Sequence, residues 1–226
     1  MSLAERYSSV RERIESACQL AGRSADEVEL IVITKMHPVE VVEELYDLGH
    51  RAFGENRDQE AKPKAMALAA GGRAAKWHFV GQLQSNKVKS ALSYASHIHS
   101  IDRDSLVKEL GKQLESLDSE IGGFIELNLT DDPGRGGVSE TDIERLTEKV
   151  LAIPRIRLRG VMAVAGLGKE PKSEFERAIE LSQRVRSLEP NAKELSIGMS
   201  DDFEVAISLG ATQIRVGSAI TGPRPA

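Results

Sequence analysis

Eight short apolar runs of strand character recur along this chain, each followed by a stretch with helical periodicity. The runs read ELIVIT, RAFGE, KWHFVG, HIHSI, GFIELNL, RLRGVMAVA, ELSIGM and QIRVGSAI. The helical stretches carry Val39, Val42 and Leu45 within 39–48, Leu106, Leu110, Leu114 and Leu117 within 104–117, and Ile143, Leu146 and Val150 within 141–153. A fourth, 173–188, carries Phe175, Ala178, Leu181, Val185 and Leu188. Apolar residues at steps of three and four share one helix face. Shorter candidates cover 57–70, 86–95 and 201–209. Residues 3–20 form a further amphipathic helix ahead of the first strand, with Leu3, Tyr7, Val10, Ile14 and Ala17 on one side.

Strands that alternate with helices pair in parallel, because parallel neighbours need crossover connections. Eight such units predict an α/β fold, a single closed (β/α)8 TIM barrel with an extra N-terminal helix. Barrels of this kind usually run to about 250 residues, so 226 residues make a compact one. A doubly wound open sheet is the competing arrangement. No compositional shift or Pro/Gly/Ser linker marks a second domain, so residues 1–226 are expected to form one unit. The segment DDPGRGG, 131–137, reads as a loop after the fifth strand. Ser139 and Asp201 precede acidic first turns, as helix N-caps do, and Gly49 and Gly210 follow helical runs where a left-handed cap needs glycine.

Charge and composition narrow the function. The formal net charge is -5 with acids and bases interspersed, which gives no broad nucleic-acid footprint. No run is long enough to span a membrane and no apolar leader is present. The one cysteine, Cys18, sits on the apolar face of the first helix and rules out an internal disulfide and any multi-cysteine metal site. A cytoplasmic protein is the expectation.

Lys35 stands at the carboxyl end of the first strand, where barrels of this type build their active sites. An amine at that mouth can attack carbonyl carbon, whereas a strand-end lysine elsewhere simply reaches solvent. The loops after strands seven and eight, where such barrels often bind phosphate, read SIGMSDD and RVGSAITG. Each pairs a glycine with a hydroxyl, Gly198 with Ser200 and Gly217 with Ser218. Small residues admit an anion to the backbone N–H groups, and Ser200 directly precedes a helical stretch. A reactive lysine beside a phosphate site fits two chemistries: an aldolase acting on a phosphorylated sugar, or pyridoxal 5'-phosphate (PLP), an aldehyde that carries its own phosphate.

VITKMHP, FGENRDQE, WHFVGQLQSNK, SIDR, RLRGVMAV, LSIGMSDDFEVAI and ATQIRVGSAITG, in this order across almost the whole chain, resemble the YggS/PROSC family of PLP homeostasis proteins. The resemblance implies a fold-type III PLP-binding barrel, similar to the amino-terminal domain of alanine racemase. In it Lys35 would hold PLP as an internal aldimine. Ser200, Gly217 and Ser218 would hold the phosphate, Arg215 would face the pyridine nitrogen, and Asn56 would line the pocket. The chain departs from the family's strand-one ending, Ser-Lys-Thr-Lys-Pro. Thr34 replaces the serine, Met36 the threonine and His37 the second lysine. A role of that second lysine in handling PLP would pass to a weaker, pH-dependent group. Ser218 stands where threonine is common, and AITG replaces AIFG.

Guanidinium donates and does not accept, so a pyridine facing Arg215 would stay unprotonated and serve poorly as an electron sink. Alanine racemase shares that arginine but adds a tyrosine base from another domain and subunit. Here the chain stops at Ala226, and Tyr7, Tyr46 and Tyr94 all fall in helical patterns. The expectation is a PLP carrier with little or no turnover, passing PLP to PLP-dependent apo-enzymes, with no catalytic residue and no metal. A weak PLP-dependent amino-acid racemase is the alternative. His78 reads as packing. His97 and His99 share a strand face but lack a carboxylate partner for a metal. Lys87 and Lys89 read as a solvated basic face.

Overall fold

The computed structural model describes residues 1–130, 134–166 and 168–223. Its strands are β1 (Glu29–Ile33), β2 (Ala52–Glu55), β3 (Lys76–Phe79), β4 (His97–Ile101), β5 (Ile121–Glu126), β6 (Ile156–Met162), β7 (Glu194–Ser196) and β8 (Gln213–Val216). All neighbours pair in parallel, and β8 closes on β1 through the register Glu29↔Gln213 to Val32↔Val216, giving a closed barrel in chain order. The helices are α1 (Leu3–Leu20), α2 (Val39–Asp47), α3 (Asp58–Ala70), α4 (Val88–Ala91), α5 (Asp104–Leu114), α6 (Ile143–Leu151), α7 (Pro171–Leu188), α8 (Phe203–Ser208) and α9 (Ser218–Thr221). The expected (β/α)8 barrel with an N-terminal helix is therefore observed.

Successive strand residues face opposite sides, and the barrel uses both. Leu30 and Val32 of β1, Trp77 and Phe79 of β3, and Ile214 and Val216 of β8 join the large apolar layer between strands and helices. Their neighbours Ile31, His78 and Arg215 are also buried, on the inner side. The inner side is unusually polar: His78, His99, Ser196, Gln213 and Arg215 are all buried there. Glycines make the room. A Cβ on Gly54 would lie 2.9 Å from Ile31 Cγ2, and one on Gly122 would overlap the His97 imidazole.

Local signals explain most boundaries. Ser2 and Glu5 form a reciprocal capping box at α1, and the Glu170 carboxylate accepts from Lys172 N and Ser173 N ahead of Pro171 at α7. Gly49 and Gly210 take positive φ as expected, 94° and 97°. Four expectations need correction. Ser139 leads a 3-10 turn, Glu140–Asp142, and α6 begins only at Ile143. The cap of α8 is Asp202 rather than Asp201, and its Oδ1 accepts from Met199 N at 2.6 Å. The stretch 86–95 holds only a 3-10 turn and the four-residue α4, and Tyr94 lies in the turn beyond it. In the last apolar run the strand stops at Val216, and Ser218–Thr221 is a helical turn. Of DDPGRGG, Asp131, Asp132 and Pro133 lie outside the described residues. Among the described residues, no helix is long and apolar enough to cross a membrane.

Candidate functional site

One cleft of about 200 Å³ opens at the carboxyl end of β1, β7 and β8. It brings together Lys35, Ser200, Arg215, Gly217 and Ser218, five of the six residues singled out from the sequence. Asn56 lies instead in a separate cavity with Arg57, Phe79, Gln82 and Lys87. The cleft also takes in His37, the residue that replaces the family's second lysine, and Ile33, Met199 and Asp201, which sequence reasoning did not assign to it. Ile33 is the last residue of β1, two positions before Lys35.

Lys35 sits half-buried on a tightly held turn. Thr34 N donates to Gly54 O at 3.1 Å, and His37 N donates back to Thr34 O at 3.1 Å. Lys64 Nζ donates to Thr34 O at 2.9 Å and pairs with Glu55 Oε1 at 2.6 Å, which also accepts from Thr34 Oγ1 at 2.7 Å. On the other side of Lys35, Met36 N donates to Glu60 Oε2 at 2.6 Å. Met36 has φ 64°, the one non-glycine positive φ among the described residues. That conformation costs a side-chain-bearing residue roughly 1–2 kcal/mol, and the bonds to Glu60 and Thr34 hold it. The Lys35 ammonium itself makes no hydrogen bond or ion pair among the described residues. Burial raises the Glu55 carboxyl's pKa, with Lys64 and Thr34 pulling the other way.

Across the cleft, donors converge on one oxygen. Gly217 N, Ala219 N and Ser218 Oγ point at Ser200 Oγ from 3.3, 3.4 and 3.3 Å. These are long, weak contacts to a neutral hydroxyl, and an anion would accept the same donors better. Gly217 lies against strand β1, where a Cβ would come 3.4 Å from Ile33 O. Gly198, at φ 92°, packs where a Cβ would meet Ala206 Cβ at 2.6 Å, so glycine is needed there to bring α8 close.

Arg215 is the cleft's buried cation. It donates to Ser196 O and Ser196 Oγ at 2.6 Å and to Ala163 O at 2.9 Å. Burial lowers its pKa to about 10, with Glu126 and Asp202 opposing, so it remains charged at neutral pH. Glu126, at the end of β5, is pushed up to about 7 by burial and by Asp102, against the pull of Arg215, Arg135 and Arg103. Its Oε2 is buried without a hydrogen-bond partner among the described residues. Sequence reasoning did not mark Glu126, because its effect depends on neighbours from other strands.

The remaining candidates separate by role. Cys18 is buried on α1. Tyr7 contacts His50, Tyr46 lies under the Arg51 guanidinium, and Tyr94 donates to Asp58; none of them lines the cleft. Lys87 borders the Asn56 cavity. No group of three or more metal-ligating side chains occurs among the described residues. An unpaired amine and a ring of anion-seeking donors in one cleft suit a molecule that carries both a carbonyl and a phosphate.

Comparison with known proteins gives the same direction. Residues 7–225 match the model of the alanine racemase N-terminal domain. The pyridoxal phosphate homeostasis protein of Escherichia coli is 34% identical over 230 residues, covering 98% of this chain and 97% of that protein. The solved structure of PipY from Synechococcus elongatus with PLP bound superposes with a TM-score of 0.86 at 31% identity, covering 98% of this chain and all of that one. Alanine racemase from Corynebacterium glutamicum shares the fold at 18% identity, with a TM-score of 0.69 over 96% of this chain and 61% of the racemase.

Proposed function

This chain belongs to the family of the pyridoxal phosphate homeostasis proteins, and from that membership we propose that it binds PLP in the Lys35 cleft as a carrier with little or no turnover. The observation that carries this reading is the pairing of the unpaired Lys35 amine with the donors of Gly217, Ser218 and Ala219 around Ser200. PLP supplies an aldehyde that reacts reversibly with a primary amine, together with a phosphate and a pyridine nitrogen. The residues present fit it: Ser200, Gly217 and Ser218 would hold the phosphate, Lys35 would take the aldehyde end, and Arg215 would face the ring nitrogen. Asn56 would border the open side.

The cleft's own chemistry supports holding over turnover. Arg215 offers donors only, so the protein brings no proton-bearing acid to the ring nitrogen. Tyr7, Tyr46 and Tyr94, the tyrosines of this chain, are engaged away from the cleft, on His50, Arg51 and Asp58. Glu126, held near neutrality, is the group that favours the second reading, a weak racemase, because such a carboxyl can move a proton at pH 7. We place the protein in the cytoplasm, with PLP-dependent apo-enzymes as the receivers of its PLP.

The test is the absorption spectrum of the protein before and after adding PLP, followed by borohydride reduction and peptide mapping, with Lys35→Ala as control. A visible band fixed by reduction onto Lys35 is expected. A protein that stays colourless in excess PLP overturns the reading. Exchange of an amino acid's α-proton in deuterated water, abolished by Glu126→Gln, would establish the racemase alternative instead.

A further inference from the structure

A chain of polar side chains runs through the barrel interior, away from the cleft and towards the opposite end. Arg215 Nη1 donates to Ser196 Oγ at 2.6 Å. Ser196 Oγ lies 2.9 Å from His99 Nδ1, and His99 Nε2 lies 2.9 Å from His78 Nδ1. His78 Nε2 ends the chain, buried with no hydrogen-bond partner among the described residues and 3.9 Å from Glu29 Oε2 at the start of β1. Four strands supply these groups, β8, β7, β4 and β3, with β1 beyond them. The rings are clamped as well: Phe124 stacks on His99 at 4.4 Å and His97 on His78 at 4.5 Å, interplanar angles 17° and 7°.

Proton counting gives this chain a direction. Arginine only donates, so Ser196 Oγ accepts from Arg215. The Ser196 hydroxyl then has one proton, and His99 Nδ1 is the acceptor within reach. His99 must therefore carry its proton on Nε2 and donate it to His78 Nδ1. His78 in turn carries its proton on Nε2, facing the Glu29 carboxylate. The reverse direction would strand the Ser196 proton and aim an imidazole lone pair at that carboxylate, two penalties in a buried site. Both ends thus select the same arrangement, with both imidazoles neutral, as their complete burial also requires.

We propose that Ser196, His99 and His78 are positioning residues that lock the Arg215 guanidinium, each imidazole fixed as its Nε2–H tautomer, so that the donors Arg215 has left are presented to the ring nitrogen of a bound cofactor. Nη1 is spent on Ser196 and one Nη2 proton on Ala163 O. The guanidinium plane therefore cannot turn without breaking the chain. The positioning role rests on the PLP reading; the tautomers do not.

Two measurements test it. Long-range 1H–15N correlation spectra of the full chain without PLP report the protonated nitrogen of each imidazole. Nε2–H patterns for His78 and His99, unchanged from about pH 5.5 to about 8.5, are expected. An Nδ1–H pattern, or titration of either ring in that range, overturns the assignment without touching PLP binding. In the second, PLP is titrated into the wild type, Ser196→Ala and Ser196→Thr. Loss of the hydroxyl is expected to weaken PLP binding about tenfold and to shift the absorption maximum, and Ser196→Thr is expected to restore both. Ser196→Ala that binds PLP with unchanged affinity and spectrum, or a threonine variant no better than alanine, overturns the positioning role. A wild type that binds no PLP overturns the cofactor reading instead, and the spectra of the unliganded chain still decide the tautomers.

Discussion

Lys64 Nζ lies 2.9 Å from the carbonyl oxygen of Thr34, the residue before Lys35. The same ammonium neutralises Glu55 at 2.6 Å, with both side chains buried. A buried amine thus holds the backbone that presents the half-exposed one. Removing one partner of a buried pair leaves an uncompensated charge, so Lys64→Met is expected to cost about 3–5 kcal/mol of stability. Adding Glu55→Gln should recover at least half of the loss, since no charge is then stranded. Urea unfolding of the two variants checks this. A double variant no more stable than the single one would show that the cost lies in lost packing, not in the charge.

Ser200 Oγ is the focus of three donors from the β8–α9 turn. Ser200→Ala removes a hydroxyl that would also contact the phosphate, and about tenfold weaker PLP binding is expected from one charge-assisted hydrogen bond. Pyridoxal, which lacks the phosphate, should bind the variant and the wild type alike. Equal losses for both ligands in equilibrium titrations would remove Ser200 from the phosphate site.

The barrel was legible in the chain because its apolar runs and helical stretches alternate eight times, and local caps such as Gly49 and Gly210 sit where expected. Lys35 and the two Gly–Ser pairs were legible because barrels place their chemistry at strand ends. The partners behind them were not. His99 and Ser196 stand 97 residues apart, and nothing short of barrel closure tells that β4 and β7 face each other. Lys64 reads on a helix as an ordinary solvated charge, and only its place between Thr34 O and Glu55 in the folded barrel reveals it as buried. Likewise, the run QIRVGSAI hides α9, because apolar content alone does not separate a strand end from a helical turn.

Glu126 makes stability depend on pH in a direction opposite to most carboxylates. Its carboxyl is raised from 4.5 to about 7, chiefly by burial. Between those values the native state keeps a proton that the unfolded chain has released. Stability contributed by the protonated form is complete below about pH 4.5 and is lost as pH rises through about 7, a cost of up to about 3 kcal/mol at pH 8. Glu126→Gln cannot ionise, so the variant should lose less stability than the wild type between pH 5 and pH 8. Identical losses in parallel urea titrations would show that Glu126 ionises freely in the native state.

Gly160 and Gly122 both sit in strands of the barrel, yet their replacement should differ in cost. A Cβ on Gly160 would overlap Glu194 O and lie 2.7 Å from the carbonyl carbon of that residue, in the neighbouring strand. Backbone paired in a closed sheet cannot move aside without opening β6 from β7, whose register runs Gly160↔Glu194 to Met162↔Ser196. A Cβ on Gly122 meets the His97 imidazole instead, and a side chain can turn away at the expense of its stacking on His78. Gly160→Ala is therefore expected to destabilise by about 3 kcal/mol or more, and Gly122→Ala by about 1–2 kcal/mol, the usual range for overpacking with a yielding neighbour. Because Ser196 lies on the displaced strand, a folded Gly160→Ala protein should also bind PLP more weakly, whereas Gly122→Ala should leave the affinity within about twofold. Thermal unfolding and PLP titration of both variants check the order, and a Gly160→Ala protein as stable as Gly122→Ala would mean that the β6–β7 edge yields where its backbone contacts say it cannot.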